Sequence, residues 1–253
     1  SRMRFRLWQY LHYISYLLIF LTFIHALDIG TFIERFLFLQ TLWYVLFTLF
    51  VLLLIYRLYM FTGVGKTKYK VIKKDNIGNN IVQIVLKPIG KALIPRIGQY
   101  FYIQLRSFKE AHPFSVMEFG EETKQITFAI KIIGKFSKEI DKLTVNSIVN
   151  LDGPYGIFTL EGQNSEPKVI IAGDIGITPF IALVNKYGTN DTIFLNANRF
   201  FNDIIKRDEL ISKLGNNYYD FISRENTKRD HIINSRLTSE LFQKIVTKEK
   251  LHL

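Results

Sequence analysis

The amino-terminal part of the chain is the feature that most limits its possible folds. Residues 7–27 form a run without a charged side chain, and about 20 such residues cross the roughly 30 Å hydrocarbon core of a bilayer as one helix. Residues 28–31 interrupt the run, and a second apolar stretch covers residues 36–61 with Arg57 near its end. Two long spans without a small-residue cleavage site argue against a signal peptide. The sequence therefore predicts a transmembrane helical hairpin, with a buried hairpin of a soluble protein as the alternative.

The distribution of charge predicts how this hairpin is oriented. Lys and Arg total 33 against 22 Asp and Glu, which gives a net charge of +11. Basic residues precede the first span and follow the second, whereas Asp28 and Glu34 lie in the loop between them. The positive-inside rule then places both ends of the hairpin, and the domains that follow it, on the cytoplasmic side of a membrane. Because the basic residues are dispersed and accompany the spans, we expect membrane lipid and not nucleic acid as a partner.

Two histidines lie within the first span. His12 and His25 are about 20 Å apart along a helix axis and roughly 140° apart around it. An imidazole inside a membrane helix needs a partner and is a functional candidate. The axial spacing suits two stacked haems, one near each leaflet, while the angle requires tilt or a local bulge. The alternative is an interfacial His12 and a His25 that is hydrogen-bonded to a neighbouring helix.

The sequence changes character after residue 65, where short runs that alternate between apolar and polar residues replace the long spans. Such runs, punctuated by Gly and Pro, are typical of antiparallel strands and predict a small β-barrel. The predicted strands are residues 82–88, 99–105, 125–133 and 147–153.

A second change comes near Lys168, where continuous apolar runs alternate with helical segments and predict a parallel α/β sheet. The predicted strands are residues 168–173 and 192–199, and the predicted helices are residues 179–186 and a segment that ends at Leu214. The fold class is therefore a multi-domain membrane protein. Its predicted parts are a transmembrane α-helical hairpin (residues 1–65), an antiparallel β-barrel (66–162) and an α/β parallel-sheet domain (163–253), with residues 163–167 as a linker.

Four short motifs in this part of the chain could bind cofactors. Glycines at positions 173 and 176, between a strand and a helix, let a pyrophosphate approach the backbone, and the helix offers its first N–H groups. Upstream, the segment HPFS (residues 112–115) follows one barrel strand, and residues 134–137 follow another, with Ser137 predicted to cap a helix. Residues 152–156 close the barrel in a tight turn. Each motif alone is common in ordinary turns, but the ordered set is specific.

In this order the motifs resemble those of the membrane ferric reductases and NADPH oxidases, whose soluble half is similar to ferredoxin–NADP reductase. The resemblance covers nearly the whole chain and implies an FAD-binding barrel and an NADPH-binding α/β domain. In that family two histidines of one transmembrane helix ligate two b-type haems. The resemblance therefore implies that His12 binds the iron of the inner haem and His25 binds the iron of the outer haem.

The same resemblance implies further cofactor ligands by position. For FAD they are His112, Pro113, Phe114, Ser115, Lys131, Gly134 and Ser137, with Gly153, Pro154, Tyr155 and Gly156 at the junction of the two domains. For NADPH they are Gly173, Gly176, Thr178, Pro179, Ser223 and Arg224, with Arg199 and Arg236 as further candidates. A guanidinium suits a phosphate dianion, which favours NADPH over NADH.

The chain departs from the family pattern in three places. Asp174 stands where the family has glycine, and a carboxylate beside a pyrophosphate must point away or be paired. The upstream helices that carry the second histidine of each haem are missing. The Cys-Gly-Pro turn after a late strand is also missing, because the chain contains no cysteine and ends at residues 248–253 within that predicted strand. We therefore expect a part of a longer protein. The lack of cysteine also excludes disulfides and thiolate metal sites within this sequence.

The resemblance implies an NAD(P)H-dependent flavohaem oxidoreductase. Electrons would pass from cytoplasmic NADPH through FAD and two haems to ferric iron or dioxygen on the far side of the membrane. The cofactors carry this chemistry, so no catalytic residue is predicted. Two alternatives stay open, a membrane-anchored FAD-dependent NAD(P)H reductase without haem and a degenerate, non-catalytic flavin-binding membrane component.

Overall fold

The computed structural model describes residues 5–30, 33 and 35–248. It divides between Val64 and Gly65 into two compact units, an amino-terminal helical hairpin and a larger unit of mixed α and β structure. All strands of the described residues belong to the larger unit.

Two long helices form the first unit, α1 (Phe5–Ile29) and α2 (Leu37–Thr62). Aromatic side chains join them, since the ring of Phe23 lies 5.3 Å from that of Trp43 and 5.5 Å from that of Phe47. Most of α1 and all of α2 are long and apolar enough to cross a membrane, judged by length and composition. The two predicted helices are therefore present, and their insertion into a membrane stays a prediction.

Arg57 is the charged residue within α2, and its partner lies on α1. The guanidinium donates a hydrogen bond to the phenolic oxygen of Tyr16, and it lies over the ring at 5.1 Å from the centroid. The face of an aromatic ring attracts a cation, and the hydrogen bond adds to this attraction. This contact therefore helps to fix the register between the two helices.

An antiparallel sheet opens the second unit. Its strands are β1 (Thr67–Gly78), β2 (Ile81–Pro88), β3 (Tyr100–Gln104), β4 (His112–Ser115), β5 (Glu118–Phe119), β6 (Ile126–Lys131) and β7 (Ile148–Tyr155), with helix α3 (Lys135–Asp141) between the last two. The strand order is β4-β3-β7-β1-β2-β6-β5. Alternate side chains fill one core, in which Tyr69, Phe101 and Phe128 are fully buried. The four predicted strands are confirmed, each to within two residues of its expected bounds.

A parallel sheet follows the antiparallel one. Its strands are β8 (Lys168–Gly173), β9 (Thr192–Asn198), β10 (Tyr218–Ile222) and β11 (Ile232–Ile233), and its helices are α4 (Thr178–Tyr187), α5 (Arg207–Leu214) and α6 (Ser239–Lys248). The strand order is β11-β10-β9-β8, and each neighbouring pair is parallel. The apolar run of β9 is buried, as a covered strand of a parallel sheet requires. Strand β8 lies at the edge of the sheet, where Ile170 and Ala172 are buried and Ile171 is 51% exposed. The predicted α/β layer is therefore confirmed.

The structure differs from the local predictions in four places. Ser137 does not cap α3, because Gly134 is the N-cap, and the hydroxyl of Ser137 lies 3.0 Å from the N–H groups of Ile133 and Gly134 from inside the helix. The HPFS segment follows strand β3 as predicted, but it also forms a strand itself, β4, since its backbone pairs with β3. Strand β1 was not predicted, because its lysines leave too few buried apolar residues for the alternation to be recognised in the sequence. Of the strand predicted at residues 248–253, Lys248 ends helix α6 and the rest lies outside the described residues.

The antiparallel and parallel sheets share one hydrophobic cluster. Ile81, Met117 and Ala129 of the antiparallel part pack in the same cluster as Ile170 and Phe194 of the parallel part, and all five side chains are buried. Burying apolar surface is the main favourable contribution to folding. The two sheets are therefore held together by a common core and not only by the chain that connects them.

An ion pair supplements this shared core. The ammonium of Lys206, at the start of α5, lies 2.6 Å from a carboxylate oxygen of Glu118 in β5 and 3.0 Å from one of Glu209. Burial lowers the pKa of Lys206, but the hydrogen bonds to the two carboxylates outweigh burial and leave that pKa raised. Because all three groups are partly exposed, the contact orients the two sheets more than it stabilises them.

We expect Met117→Ala to lower the unfolding temperature of the second unit by about 4–20 °C. Truncating a fully buried Met costs about 2–5 kcal/mol, and each kcal/mol corresponds to about 2–4 °C in a unit of this size. Scanning calorimetry of the full chain in detergent measures the shift. Ile157→Ala is the matched control, because that side chain is 78% exposed and should change little. Separate unfolding transitions for the two sheets would contradict a shared core.

Candidate functional site

The carboxyl ends of the parallel strands meet at one edge of their sheet and enclose a cavity of about 450 Å³. Strand β8 ends at Gly173, β9 ends at Asn198, and Ser223 follows the end of β10. We name this space the arginine cavity, after the charged residues that line it, which are Arg199, Arg224 and Arg236 together with Asp174.

The arginine cavity carries a net positive charge. Three separate segments bring Arg199, Arg224 and Arg236 to it, and all three residues are exposed to solvent. Guanidinium groups bind phosphate oxygens in pairs of parallel hydrogen bonds. The cavity therefore suits a ligand that carries phosphate. It brings together six residues that were singled out in the sequence, since Asp174, Gly173 and Ser223 line it as well.

Asn198 also lines the cavity, although its sequence position attracts no notice. It is 6% exposed, and within the described part of the chain neither Oδ1 nor Nδ2 of its amide has a hydrogen-bond partner. An unpaired buried amide costs about 1–3 kcal/mol by mutational measures. Its two atoms can donate to and accept from a ligand in the cavity. The sequence feature that could have identified Asn198 is its position as a polar residue at the carboxyl end of an apolar strand, because parallel sheets bind ligands at that edge.

A buried polar network joins β9 to β10. The carboxylate of Asp220, at 0% exposure, accepts hydrogen bonds from the Tyr218 hydroxyl at 2.7 Å, Asn196 Nδ2 at 3.0 Å and Arg207 Nε at 2.9 Å. Burial raises the pKa of Asp220, and these hydrogen bonds oppose the rise. Burial, followed by the nearby Asp220 carboxylate, raises the pKa of Tyr218. The network keeps Tyr218 protonated and fixes the two strands whose ends form the cavity.

The segment after β8 contains the predicted pyrophosphate loop. Gly173 and Gly176 are exposed, and a Cβ added to Gly176 would meet nothing within 4 Å, so a ligand can approach the backbone there. Thr178 and Pro179 are buried at the start of α4, where proline suits the first turn of a helix. Asp174 adopts a left-handed backbone with φ +53°, which aspartate tolerates better than most residues.

The carboxylate of Asp174 is paired with a lysine from the antiparallel sheet. Lys131 Nζ lies 2.6 Å from Oδ1 and 2.7 Å from Oδ2 of Asp174, and 3.6 Å from Oδ2 of Asp203. Lys131, Gly134 and Ser137 were the residues expected at the FAD pyrophosphate. In the structure the lysine is engaged by carboxylates, and the Gly134 N–H is engaged by the Ser137 hydroxyl. All three therefore make internal contacts.

The HPFS segment divides between the two faces of the edge strand β4. The ring of His112 lies 4.1 Å from that of Phe136 on α3, and the ring of Phe114 stacks on the same phenyl at 6.0 Å. Pro113 and Ser115 alternate with them and therefore point to the opposite face of the sheet. One face of the segment therefore packs against α3, and the other face places Pro113 and Ser115 on the opposite side of the sheet.

Three tyrosines lie on the side of the sheet that carries Pro113 and Ser115. Tyr102 lies opposite Pro113, and Tyr100 lies opposite Ser115, in the pairing of β3 with β4. Residues directly opposite in an antiparallel pair point to the same side. The ring of Tyr155 lies 5.9 Å from each of the rings of Tyr100 and Tyr102. We name these five residues the tyrosine face.

Glycines allow the GPYG turn to bring Tyr155 to the tyrosine face. Gly153 has φ +141°, and a Cβ there would lie 2.7 Å from a ring carbon of Phe101. Gly156 has φ +93°. The peptide bond between Gly153 and Pro154 is cis, and the Tyr155 hydroxyl donates a hydrogen bond of 2.7 Å to Asp152. A side chain at either glycine is therefore incompatible with this turn.

The two histidines of helix α1 lie exposed on the hairpin. The ring of His12 lies 4.1 Å from that of Trp8, and His25 lies on the exposed surface of α1. Tyr16 and Phe23 mark the face of α1 that meets α2, and His25 is about half a turn away from Tyr16 at 100° per residue. Within residues 5–30, 33 and 35–248, no group of three or more His, Asp or Glu side chains could hold a metal ion.

The family comparison bears on the antiparallel part. Residues 66–178 match the family model of an FAD-binding domain. This segment is therefore similar to FAD-binding domains. The reductase component of propane 2-monooxygenase from Mycolicibacterium smegmatis is 31% identical over 152 residues, which cover 56% of the chain and 43% of that protein. Human cytochrome b5 reductase 4 is 30% identical over 172 residues, which cover 59% of the chain and 33% of that protein.

The solved structures extend the likeness to the parallel sheet. The FAD/NAD-binding domain of nitric oxide dioxygenase from Vibrio cholerae superposes with a TM-score of 0.57 at 17% identity, over 73% of this chain and 92% of that one. The b5 reductase part of human Ncb5or gives a TM-score of 0.57 at 19% identity, over 74% and 58%. The shared fold is an antiparallel FAD domain followed by a parallel-sheet domain. The chain spans less than half the length of the curated relatives named above.

We expect Asn198→Leu to raise the free energy of unfolding of the second unit by about 1 kcal/mol, because it removes a buried amide that lacks partners. The shift corresponds to about 2–4 °C in unfolding temperature, measured by calorimetry without added ligand. Asn196→Leu is the matched control, since its Nδ2 is bonded to Asp220 and Tyr218 and the replacement should destabilise. A loss of stability in Asn198→Leu would mean that this amide is satisfied within the protein.

Proposed function

We propose that the chain transfers electrons from cytoplasmic NADPH, through FAD and two haems, across a membrane to ferric iron or dioxygen. The observation that carries the reductase part is the presence, in one compact unit, of an FAD-binding domain and a parallel sheet with a phosphate-compatible cavity. The relatives support the same part, because one is named as a reductase component and another as a cytochrome b5 reductase. The helical hairpin supports the membrane part.

FAD suits the tyrosine face. Clustered aromatic rings and a proline offer apolar contact, and the Ser115 hydroxyl can donate or accept a hydrogen bond. Tyr100, Tyr102, Pro113, Ser115 and Tyr155 would hold the ring system. Bound FAD would supply the step from paired to single electrons. The chain would orient this cofactor by holding β4 in place, because His112 and Phe114 pack against Phe136 of α3 on the other face of that strand.

NADPH suits the arginine cavity better than NADH does. Arg224 follows the strand next to β9, and with Arg199 and Arg236 it offers more positive charge than a pyrophosphate alone needs. The additional 2′-phosphate of NADPH is a dianion that such groups bind well. Gly173 and Gly176 leave room for the pyrophosphate at the backbone. Asn198 offers a donor and an acceptor to the neutral parts of the dinucleotide.

The arginine cavity gives a direct test of the reductase function. We expect the protein to bind FAD and to lose the visible absorbance of its oxidised flavin when NADPH is added without oxygen. Arg224→Ala should raise the KM for NADPH by about 10–100-fold, because a hydrogen bond to a charged group contributes about 1.5–3 kcal/mol, and it should change the KM for NADH far less. Arg229→Ala is the control, since that exposed guanidinium stacks on Phe201 away from this cavity. Flavin that stays oxidised with both nucleotides would contradict the proposal.

Haem is compatible with the exposed positions of His12 and His25. Both histidines are exposed on α1, so each imidazole could ligate an iron whose second ligand comes from another helix. Bound haem would carry single electrons across the apolar layer. The residues of α1 would hold the two groups about 20 Å apart along the helix.

The haem assignment is tested in membranes that contain the protein encoded by the complete reading frame. We expect bis-histidine Soret and α bands, and His25→Leu should remove the contribution of the outer haem, roughly half of the haem absorbance. Ile24→Leu is the control, because it changes a neighbouring exposed apolar side chain on the same helix. An unchanged spectrum in His25→Leu would show that this histidine is not a ligand.

A membrane-anchored reductase without haem is the second candidate function. The observation in its favour is that the relatives include the reductase component of propane 2-monooxygenase and component C of methane monooxygenase. In that function the hairpin is an anchor, and the electrons leave FAD for a partner protein. Membranes with reducible flavin but without haem bands would favour this candidate over the first.

A further inference from the structure

We propose that Lys131 is the counter-ion of the nucleotide loop, so that an amino group from the FAD-binding domain neutralises Asp174 and permits an anionic dinucleotide to bind in the arginine cavity. The inference rests on the proposed function, in which NADPH occupies that cavity. It assigns Lys131 a role toward the nicotinamide dinucleotide in place of the FAD pyrophosphate.

The contact between Lys131 and Asp174 is close and involves both carboxylate oxygens of the aspartate. Both carboxylate oxygens of Asp174 lie within hydrogen-bond distance of Nζ, at 2.6 and 2.7 Å. The Lys131 side chain is only 16% exposed, whereas that of Asp174 is 43% exposed. A charge-assisted hydrogen bond of this length is strong, and partial burial of the lysine protects it from water. Asp174 is therefore held with its charge compensated.

Asp174 needs such compensation because of where it lies. It is the acidic member of a cavity that otherwise presents three arginines, and it follows Gly173 directly at the end of β8. A free carboxylate there would repel the phosphates that the arginines attract. Its backbone φ of +53° is a conformation that glycine adopts without cost, so the fold itself does not require a carboxylate at this position.

The positive charge of Lys131 is already matched by nearby carboxylates, so the ammonium is not free to bind a phosphate of FAD. Besides Asp174, its ammonium lies 3.6 Å from Asp203, whose side chain is 6% exposed. One ammonium and two carboxylates give this group of three a net charge of −1. A phosphate of FAD would have to displace Asp174 from Lys131, and it would thereby expose the nucleotide cavity to an uncompensated carboxylate. The present pairing avoids both costs.

The pairing also ties two parts of the unit together at the site. Lys131 ends strand β6 of the antiparallel sheet, and Asp174 begins the turn that follows β8 of the parallel sheet. Asp203 belongs to a short turn after β9. The affinity for the dinucleotide therefore depends on a residue outside the parallel sheet that would bind it.

A double-mutant cycle on the full chain tests this role. We expect Lys131→Met to raise the KM for NADPH and the dissociation constant of NADP⁺ roughly tenfold while kcat and the FAD content stay near those of the wild type. Asp174→Asn should bind NADP⁺ at least as well as the wild type. The double variant Lys131→Met/Asp174→Asn should return to within about twofold of Asp174→Asn. Lys131→Arg should bind like the wild type, and high salt should weaken the effect of Lys131→Met.

The possible results separate the alternatives. If Lys131→Met loses FAD and Asp174→Asn does not restore binding, then Lys131 contacts FAD and the inference is wrong. If NADP⁺ binds all variants equally, the charge of Asp174 does not affect the affinity of the cavity for the nucleotide, and the inference is again wrong. Calorimetric unfolding shows whether each variant is folded, and Lys131→Arg preserves the test if Lys131→Met is not. A wild-type protein that fails to bind NADP⁺ would overturn the proposed function itself, which the variants alone cannot do.

Discussion

The hydrophobic cluster shared by the two sheets is the contact on which the rest of the second unit depends. Ile81 of β2 and Met117, which lies between β4 and β5, pack with Phe194 of the parallel sheet. A close-packed apolar contact of this kind has little freedom to slide. It therefore fixes the distance between the end of β6 and the loop after β8, and only a fixed distance lets Lys131 reach Asp174. The electrostatics of the cavity thus depend on apolar packing remote from the cavity.

The sequence predicted the strands whose pattern comes directly from burial and missed those whose pattern does not. Strands β2 and β6 alternate or run apolar, and their bounds follow from that. Strand β1 carries four lysines, with only Tyr69 and Val71 fully buried among them, so its hydrophobic period is too sparse to recognise. Ser137 was expected at the start of α3 because serine is a common N-cap. In the structure the same hydroxyl satisfies two backbone N–H groups from within the helix.

The candidate site was predictable in its parts but not in its arrangement. Arg199, Arg224 and Arg236 could be recognised as phosphate-binding types, whereas their convergence depends on three separate segments of the fold. The pairing of Lys131 with Asp174 joins residues 43 positions apart, and only the register of two different sheets brings them together. The sequence could state that the Asp174 carboxylate needs a partner, because that follows from charge alone. It could not supply the identity of the partner.

The unbonded amide of Asn198 has a consequence for the life of the protein in a cell. Any ligand that satisfies this amide binds the folded chain and not the unfolded one, so it shifts the folding equilibrium by mass action. Proteases that capture transiently opened chains then act more slowly when the ligand is abundant. The steady-state amount of the protein would then follow the supply of the ligand that binds there, without any dedicated regulator.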